Sequence, residues 1–261
     1  MLRAFGAVGG PSRIAAGQAT SWRVGDHVLK PVDDEDEVRW RCGLLDEIEE
    51  NGSRVSRPVR AGDGSCIVDG WTASRWVDGE PDPRGRWAEL FEAAEAFMGA
   101  VRAYGPPSFL ARRRHWWAQA DRAAWGEQDL PGPPVVTAIA DRLAALAGPV
   151  RGPAQLVHGD LAGNVLFQPG KPPAVIDLSP YWRPTAYAIG IAVADGLLVY
   201  GEGPGLVAEA GERTSIAFVA RGALFRLLVL QQSCEARGVP PAASELARYE
   251  EVATVLEQRR R

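Results

Sequence analysis

The chain has 261 residues, 46% hydrophobic and 24% charged, with a formal net charge of −4. That length buries a substantial core in one or two domains, and nine tryptophans with so little net charge exclude a largely disordered chain; the mild acidity excludes a dense basic surface for nucleic acid. Three cysteines (Cys42, Cys66, Cys234) without metal spacing argue against a disulfide scaffold, and no apolar run of 18 residues is expected, so we expect a soluble cytoplasmic protein without a membrane partner.

In chain order, residues 20–24 and 27–32 read as strands around Gly25-Asp26, a hairpin turn signal. The acidic run 33–37 opens a helix whose face carries Glu37, Trp40, Leu44 and Ile48, ending at Asn51-Gly52. Residues 55–60 and 65–68 read as further strands. A last one, 71–77, runs into Asp78-Gly79 and the Pro-rich segment 80–83. Beyond that break the grammar changes. Residues 87–104 form a helix with Leu90, Ala94, Phe97 and Val101 at helical spacing, stopped by Gly105-Pro106-Pro107. Another helix is expected over 137–146, then a strand-loop-strand region over 155–177, then mostly helix. The fold class is therefore α+β and bilobal. A small β-rich N-lobe with one helix (1–78) precedes a larger, mostly helical C-lobe (79–261), and the cleft between them is the expected ligand site.

Chemistry concentrates in Gln155 to Phe167, followed by Ala174-Val175-Ile176-Asp177. Two apolar strands joined through Pro169-Gly170 place Asn164 just before one strand and Asp177 just after the other. Both side chains thus emerge at the same end of a hairpin, with Asp160 in the loop upstream. Phosphoryl transfer needs such a set: one carboxylate accepts the proton of the attacking hydroxyl, while another carboxylate and an amide oxygen hold Mg²⁺ on the phosphates. His158 is read as structural, bonding backbone near the second Asp. Lysine is scarce, only Lys30 and Lys171 among 29 basic residues, which raises the question of whether Lys30 is kept for its amine.

His158-Gly159-Asp160-Leu161, Asn164-Val165-Leu166-Phe167 and Val175-Ile176-Asp177 together resemble the catalytic loop and metal-binding Asp of the aminoglycoside phosphotransferase family. The resemblance is sharp over 157–178 and implies a protein-kinase-like fold with a five-stranded N-lobe. It implies Asp160 as catalytic base, Asn164 and Asp177 as Mg²⁺ ligands, ATP or GTP as donor, and a small-molecule hydroxyl as acceptor. Residues 16–24 resemble the family's phosphate loop, with Gly17 as its glycine, and Val28-Leu29-Lys30 resembles the strand bearing the phosphate-binding Lys. Glu37 would pair with Lys30, with Glu47 as the alternative. Residues 74–79 resemble the interlobe hinge, where Ser74 and Trp76 would meet the nucleotide. The chain departs from the family in one place: Asp160 and Asn164 are four apart, one fewer than usual.

Arg112, Arg113, Arg114 and Arg122 point away from a polycationic acceptor and towards a neutral or anionic one. Asp195 reads as a buried ion-pair or capping residue that could orient the catalytic loop. Two other functions fit less of the pattern. The short loop suits a pseudokinase acting as a nucleotide-sensing or partner-binding module, and His158 with the two Asp residues suits a metal-dependent hydrolase.

Overall fold

The computed structural model describes residues 1–14, 20–149 and 152–260. Five antiparallel strands build the N-terminal sheet: β1 (Ser12–Arg13), β2 (Trp22–Val24), β3 (His27–Pro31), β5 (Pro58–Val59) and β6 (Trp71–Arg75). Their order is β1-β2-β3-β6-β5, so β3 is central. The expected Gly25-Asp26 turn joins β2 to β3, with Val24 opposite His27. Phe5, Val24, Leu29, Val59, Ala61 and Ala73 form a small core under this sheet.

Helix α1 (Glu35–Glu47) begins where Asp34 accepts a hydrogen bond from the Glu37 N–H at 3.1 Å, with three acidic residues in its first turn. It stops at Glu47, short of the expected Asn51-Gly52, because Ile48 is extended. The Arg57 guanidinium closes that end, donating to the carbonyls of Leu45 (2.5 Å) and Ile48 (2.9 Å). Leu44 and Ile48 pack into the larger core with the helical lobe.

Two expected strands differ. Residues 55–60 divide: β4 (Arg54–Val55) runs parallel to β9 (Ala174–Val175), whereas β5 pairs with β6. Pro58 has no N–H to continue a ladder, and Ser56 turns the chain by donating to the Arg75 carbonyl. Residues 65–68 form no continuous strand, and only Val68 makes a β-bridge, to Trp71. There Asp63 and Ser65 side chains accept the N–H groups of Ser65 and Ile67, a local alternative to sheet pairing.

The remaining chain carries α2 (Trp87–Ala100), a 3₁₀ turn (Ser108–Arg112), α3 (Trp116–Ala124), α4 (Pro134–Ala147), β7 (Gln155–His158), β8 (Val165–Leu166), β9, β10 (Pro180–Arg183), α5 (Thr185–Leu198), α6 (Gly205–Ala210), α7 (Ile216–Ala236) and α8 (Ala243–Arg260). Leu90, Ala94, Phe97 and Val101 are all buried, as their spacing requires. Strand β10, unforeseen in the sequence, pairs antiparallel with β7. Helix α7 corrects one expectation, since it is long and apolar enough to cross a membrane by length and composition. Its surface is mostly buried within the chain, and its Arg221 donates to the carbonyls of Ala124 and Gly148. It packs against α3, α4, α5 and α8, so the interior of the helical lobe accounts for its apolar composition.

Candidate active site

Strands β8 and β9 pair antiparallel, Val165 opposite Val175, and carry Asn164 and Asp177 at the same end. The Asn164 carbonyl accepts the Ile176 N–H at 2.9 Å, closing that end of the hairpin. Asp177 has φ +50°, a left-handed backbone that Asp tolerates better than most residues, and its side chain is 46% exposed.

His158 ties the two carboxylate-bearing segments together. Its Nδ1 accepts the Asp160 N–H at 3.1 Å, so its proton sits on Nε2, which donates to the Ile176 carbonyl at 3.0 Å. Burial pushes the imidazole below its ordinary pKa, which keeps it neutral. That is the structural role expected of it. Gly159 is needed for close approach: a Cβ there would lie 2.4 Å from the Tyr181 ring on β10.

The short loop from Asp160 to Asn164 closes on itself. Asn164 Nδ2 donates to the Asp160 carbonyl at 2.8 Å and to Asp160 Oδ2 at 3.0 Å, while its own N–H bonds the Leu161 carbonyl. With four residues of spacing, Asn164 still sits beside Asp160. Its amide nitrogen faces the carboxylate, which leaves Oδ1 as the atom able to take a cation. Asn164 Oδ1 and the Asp177 carboxylate are hard oxygen donors that suit Mg²⁺, which binds a few side chains and completes its shell with water and phosphate. Among the described residues no cluster of three or more His, Cys, Asp or Glu could hold a metal. A two-ligand set containing an amide is compatible with that.

Lys30, on central strand β3, lies 2.7 Å from Asp177 Oδ2. Burial alone would raise the Asp177 carboxyl, but the Lys30 ammonium, with the Arg41 guanidinium adding to it, holds it below the ordinary carboxylate range. Glu37 does not pair with Lys30. It meets Arg113, which comes from the end of the 3₁₀ turn, at 2.7 Å, and Arg113 also donates to the Pro180 carbonyl at 2.7 Å. Glu47, the alternative, is engaged by the Tyr104 hydroxyl at 3.4 Å. The sequence placed Glu37 on the inward face of its helix correctly. It could not show that an arginine 76 residues away fills the space opposite.

The expected hinge residues, Ser74 and Trp76, make contacts within the N-lobe. Ser74 lies inside the sheet, opposite both Val28 and Pro58. The Trp76 N–H bonds the Asp26 carbonyl at 2.7 Å, its indole N–H bonds Asp78 at 2.6 Å, and Arg23 stacks on its ring. The linker then passes at Gly79 (φ +153°), where a Cβ would lie 2.9 Å from Leu166, and Glu80 bridges to Phe167. Gly17 falls outside the described residues.

Two site residues escaped the sequence reading of the catalytic loop or were read only in part. Arg226 of α7 donates to Asp160 Oδ1 at 2.6 Å, and the same guanidinium meets both oxygens of Asp195 at 2.7 Å. Burial works against the Arg226 charge, but Asp195 and Asp160 outweigh it and hold the guanidinium well above its ordinary range. The arginine run 112–114 and Arg122 carry less information about an acceptor than their charge suggested. Arg112 pairs with Asp36, Arg113 with Glu37, and Arg122 bonds Gln128 and the Arg113 carbonyl.

The profile of the phosphotransferase enzyme family matches residues 14–181. The chain belongs to that family. No curated protein matches it. Its fold resembles a microcompartment-associated aminopropanol kinase at 18% identity, with a TM-score of 0.60, covering 95% of this chain and 90% of that one. It also resembles a thermostable mutant of the aminoglycoside phosphotransferase APH(4)-Ia in ternary complex with AMP-PNP and hygromycin B, at 18% identity and TM-score 0.60, covering 97% and 96%. A third likeness is choline kinase LicA from Streptococcus pneumoniae, at 12% identity and TM-score 0.54, covering 96% and 94%. These likenesses establish the family's kinase-like α+β fold.

Proposed function

We propose that this protein is a Mg²⁺-dependent phosphotransferase that moves the γ-phosphoryl group of ATP or GTP to a hydroxyl of a small molecule. One observation carries the reading: Asn164, bonded to Asp160, stands at the same end of one hairpin as Asp177, and Lys30 lies on Asp177. The family, and the AMP-PNP and hygromycin B bound in the APH(4)-Ia complex, support it. We take residues 1–78 as the nucleotide lobe and 79–261 as the helical lobe.

In this reading the acceptor oxygen attacks the γ-phosphorus, the bond to the β,γ-bridging oxygen breaks, and the nucleoside diphosphate leaves. Asp160 receives the hydroxyl proton. Lys30 would move from Asp177 onto phosphate oxygens, and Asn164 Oδ1 with the Asp177 carboxylate would hold Mg²⁺. When bound, that ion supplies neutralisation of phosphate charge. The main chain of 77–79, between β6 and the Glu80–Phe167 bridge, would take the base. Catalysis of this kind is mostly positioning and electrostatics. The donor fits a cytoplasmic enzyme.

The test is thermal stability with ATP, GTP and ADP, with and without Mg²⁺. A ligand at a hundredfold excess over its dissociation constant stabilises the fold by about 2.7 kcal/mol. The expected result is a Mg²⁺-dependent shift that Asp177→Ala abolishes. A shift indifferent to metal would favour a nucleotide-sensing module, and no shift with any nucleotide would refute the kinase reading.

A further inference from the structure

Both oxygens of Asp160 are engaged by protein donors. Oδ2 accepts from Asn164, a member of the same loop. Oδ1 accepts from Arg226, which arrives from α7, 66 residues further on. The Arg226 side chain is 11% exposed and its partner Asp195, on α5, is 7% exposed, whereas Asp160 is 39% exposed. The rings of Phe225 and Trp117 flank the guanidinium at 5.2 and 5.6 Å. A rigid ion pair rooted in the helical core thus reaches the cleft through one nitrogen, Nη2, which bonds Asp195 and Asp160 together.

Stability alone is a poor reason for this pair. Desolvating two charges offsets most of their attraction, and apolar residues of the same volume often serve a core as well or better. The geometry offers a better reason. Asp160 stands on a short loop with Ala162 and Gly163 beside it, small residues that cannot wedge its side chain. A planar guanidinium, its angle set by two bonds to Asp195, removes the carboxylate's rotational freedom.

We propose that Arg226, oriented by Asp195, is a positioning residue that fixes the Asp160 carboxylate for the incoming hydroxyl. The inference rests on the reading of Asp160 as proton acceptor. Arg226 acts through Asp160 and need not touch the reacting atoms. A lysine would neutralise Asp195 yet lacks the fork that holds two carboxylates in fixed relation.

Mg²⁺-dependent ATP hydrolysis, with water as the acceptor, tests this in the full chain. The variants are Arg226→Lys, the double replacement Arg226→Met with Asp195→Leu, and Asp160→Ala, each also measured for its ATP-induced thermal shift. The double replacement leaves no uncompensated charge in the core, so it keeps the test open if the single variant fails to fold. Both Arg226 variants should keep the wild-type KM for ATP and the thermal shift while kcat falls roughly 10- to 100-fold, as small misplacements of a reacting group do. Undiminished kcat in the double variant, or a raised KM with kcat intact, would overturn the positioning role. Full kcat in Asp160→Ala would instead overturn the assignment of the proton acceptor, and the inference with it.

Discussion

The Lys30 ammonium lies 2.7 Å from the Asp177 carboxylate, joining the central strand of the N-terminal sheet to the end of the β8–β9 hairpin. Lys30 is 30% exposed, so the pair is only partly shielded from water. Pairs of that kind contribute about 1 kcal/mol at most.

Lys30→Ala should therefore change folding stability by less than about 1 kcal/mol. Its affinity for Mg²⁺·ATP should fall about tenfold or more, the worth of a charge-assisted contact to phosphate. Urea unfolding and a thermal-shift titration with ATP measure the two effects separately. A variant that loses several kcal/mol while binding ATP normally would make Lys30 a structural strut.

The Glu37–Arg113 pair leads to the opposite division. Arg113 is 6% exposed, and its guanidinium fastens α1 to the Pro180 carbonyl just beyond Asp177. Arg113→Met leaves the mostly buried Glu37 carboxylate with only the Arg41 guanidinium, 3.9 Å away, and should cost about 1–3 kcal/mol. Glu37→Gln should leave the ATP-induced shift close to wild type, because Glu37 faces Arg113 and not Lys30. If Glu37→Gln weakens ATP binding as much as Lys30→Ala does, the two act as a pair when nucleotide is present.

His158 sets a pH dependence. Burial lowers its pKa in the folded state, whereas the unfolded imidazole titrates near about 6.5. Between the folded value and about 6.5 the unfolded chain binds a proton that the native chain does not. Stability from this group is thus fully present above that window and is lost as the pH falls through it. His115, which burial also shifts down, adds to the same slope. His158→Gln should be less stable at pH 7.5 and should lose less on passing to pH 5.5, as read from urea midpoints. An unchanged difference between the two pH values would mean that His158 takes up its proton as readily in the native fold as in the unfolded chain.

Neighbours along the chain fix several parts of this protein. The Gly25-Asp26 hairpin, the α2 face and the hairpin bearing Asn164 and Asp177 follow from turn chemistry and apolar periodicity, which act over a few residues. The structural role of His158 was legible for the same reason, since it bonds to groups at either end of that hairpin. Helix and strand ends were less legible: Arg57 closes α1, and side-chain bonds at Asp63 and Ser65 replace a strand.

Tertiary structure alone decided which charged groups meet. Glu37 faces inward as its periodicity requires, but whether Lys30 or Arg113 stands opposite depends on where the 3₁₀ turn docks. Nothing near Asp160 in the chain announces Arg226, because α5 and α7 bring Asp195 and Arg226 together only by packing side by side. Electrostatic partners are chosen by distance in space, and spacing along the sequence carries that information only within a single element or turn.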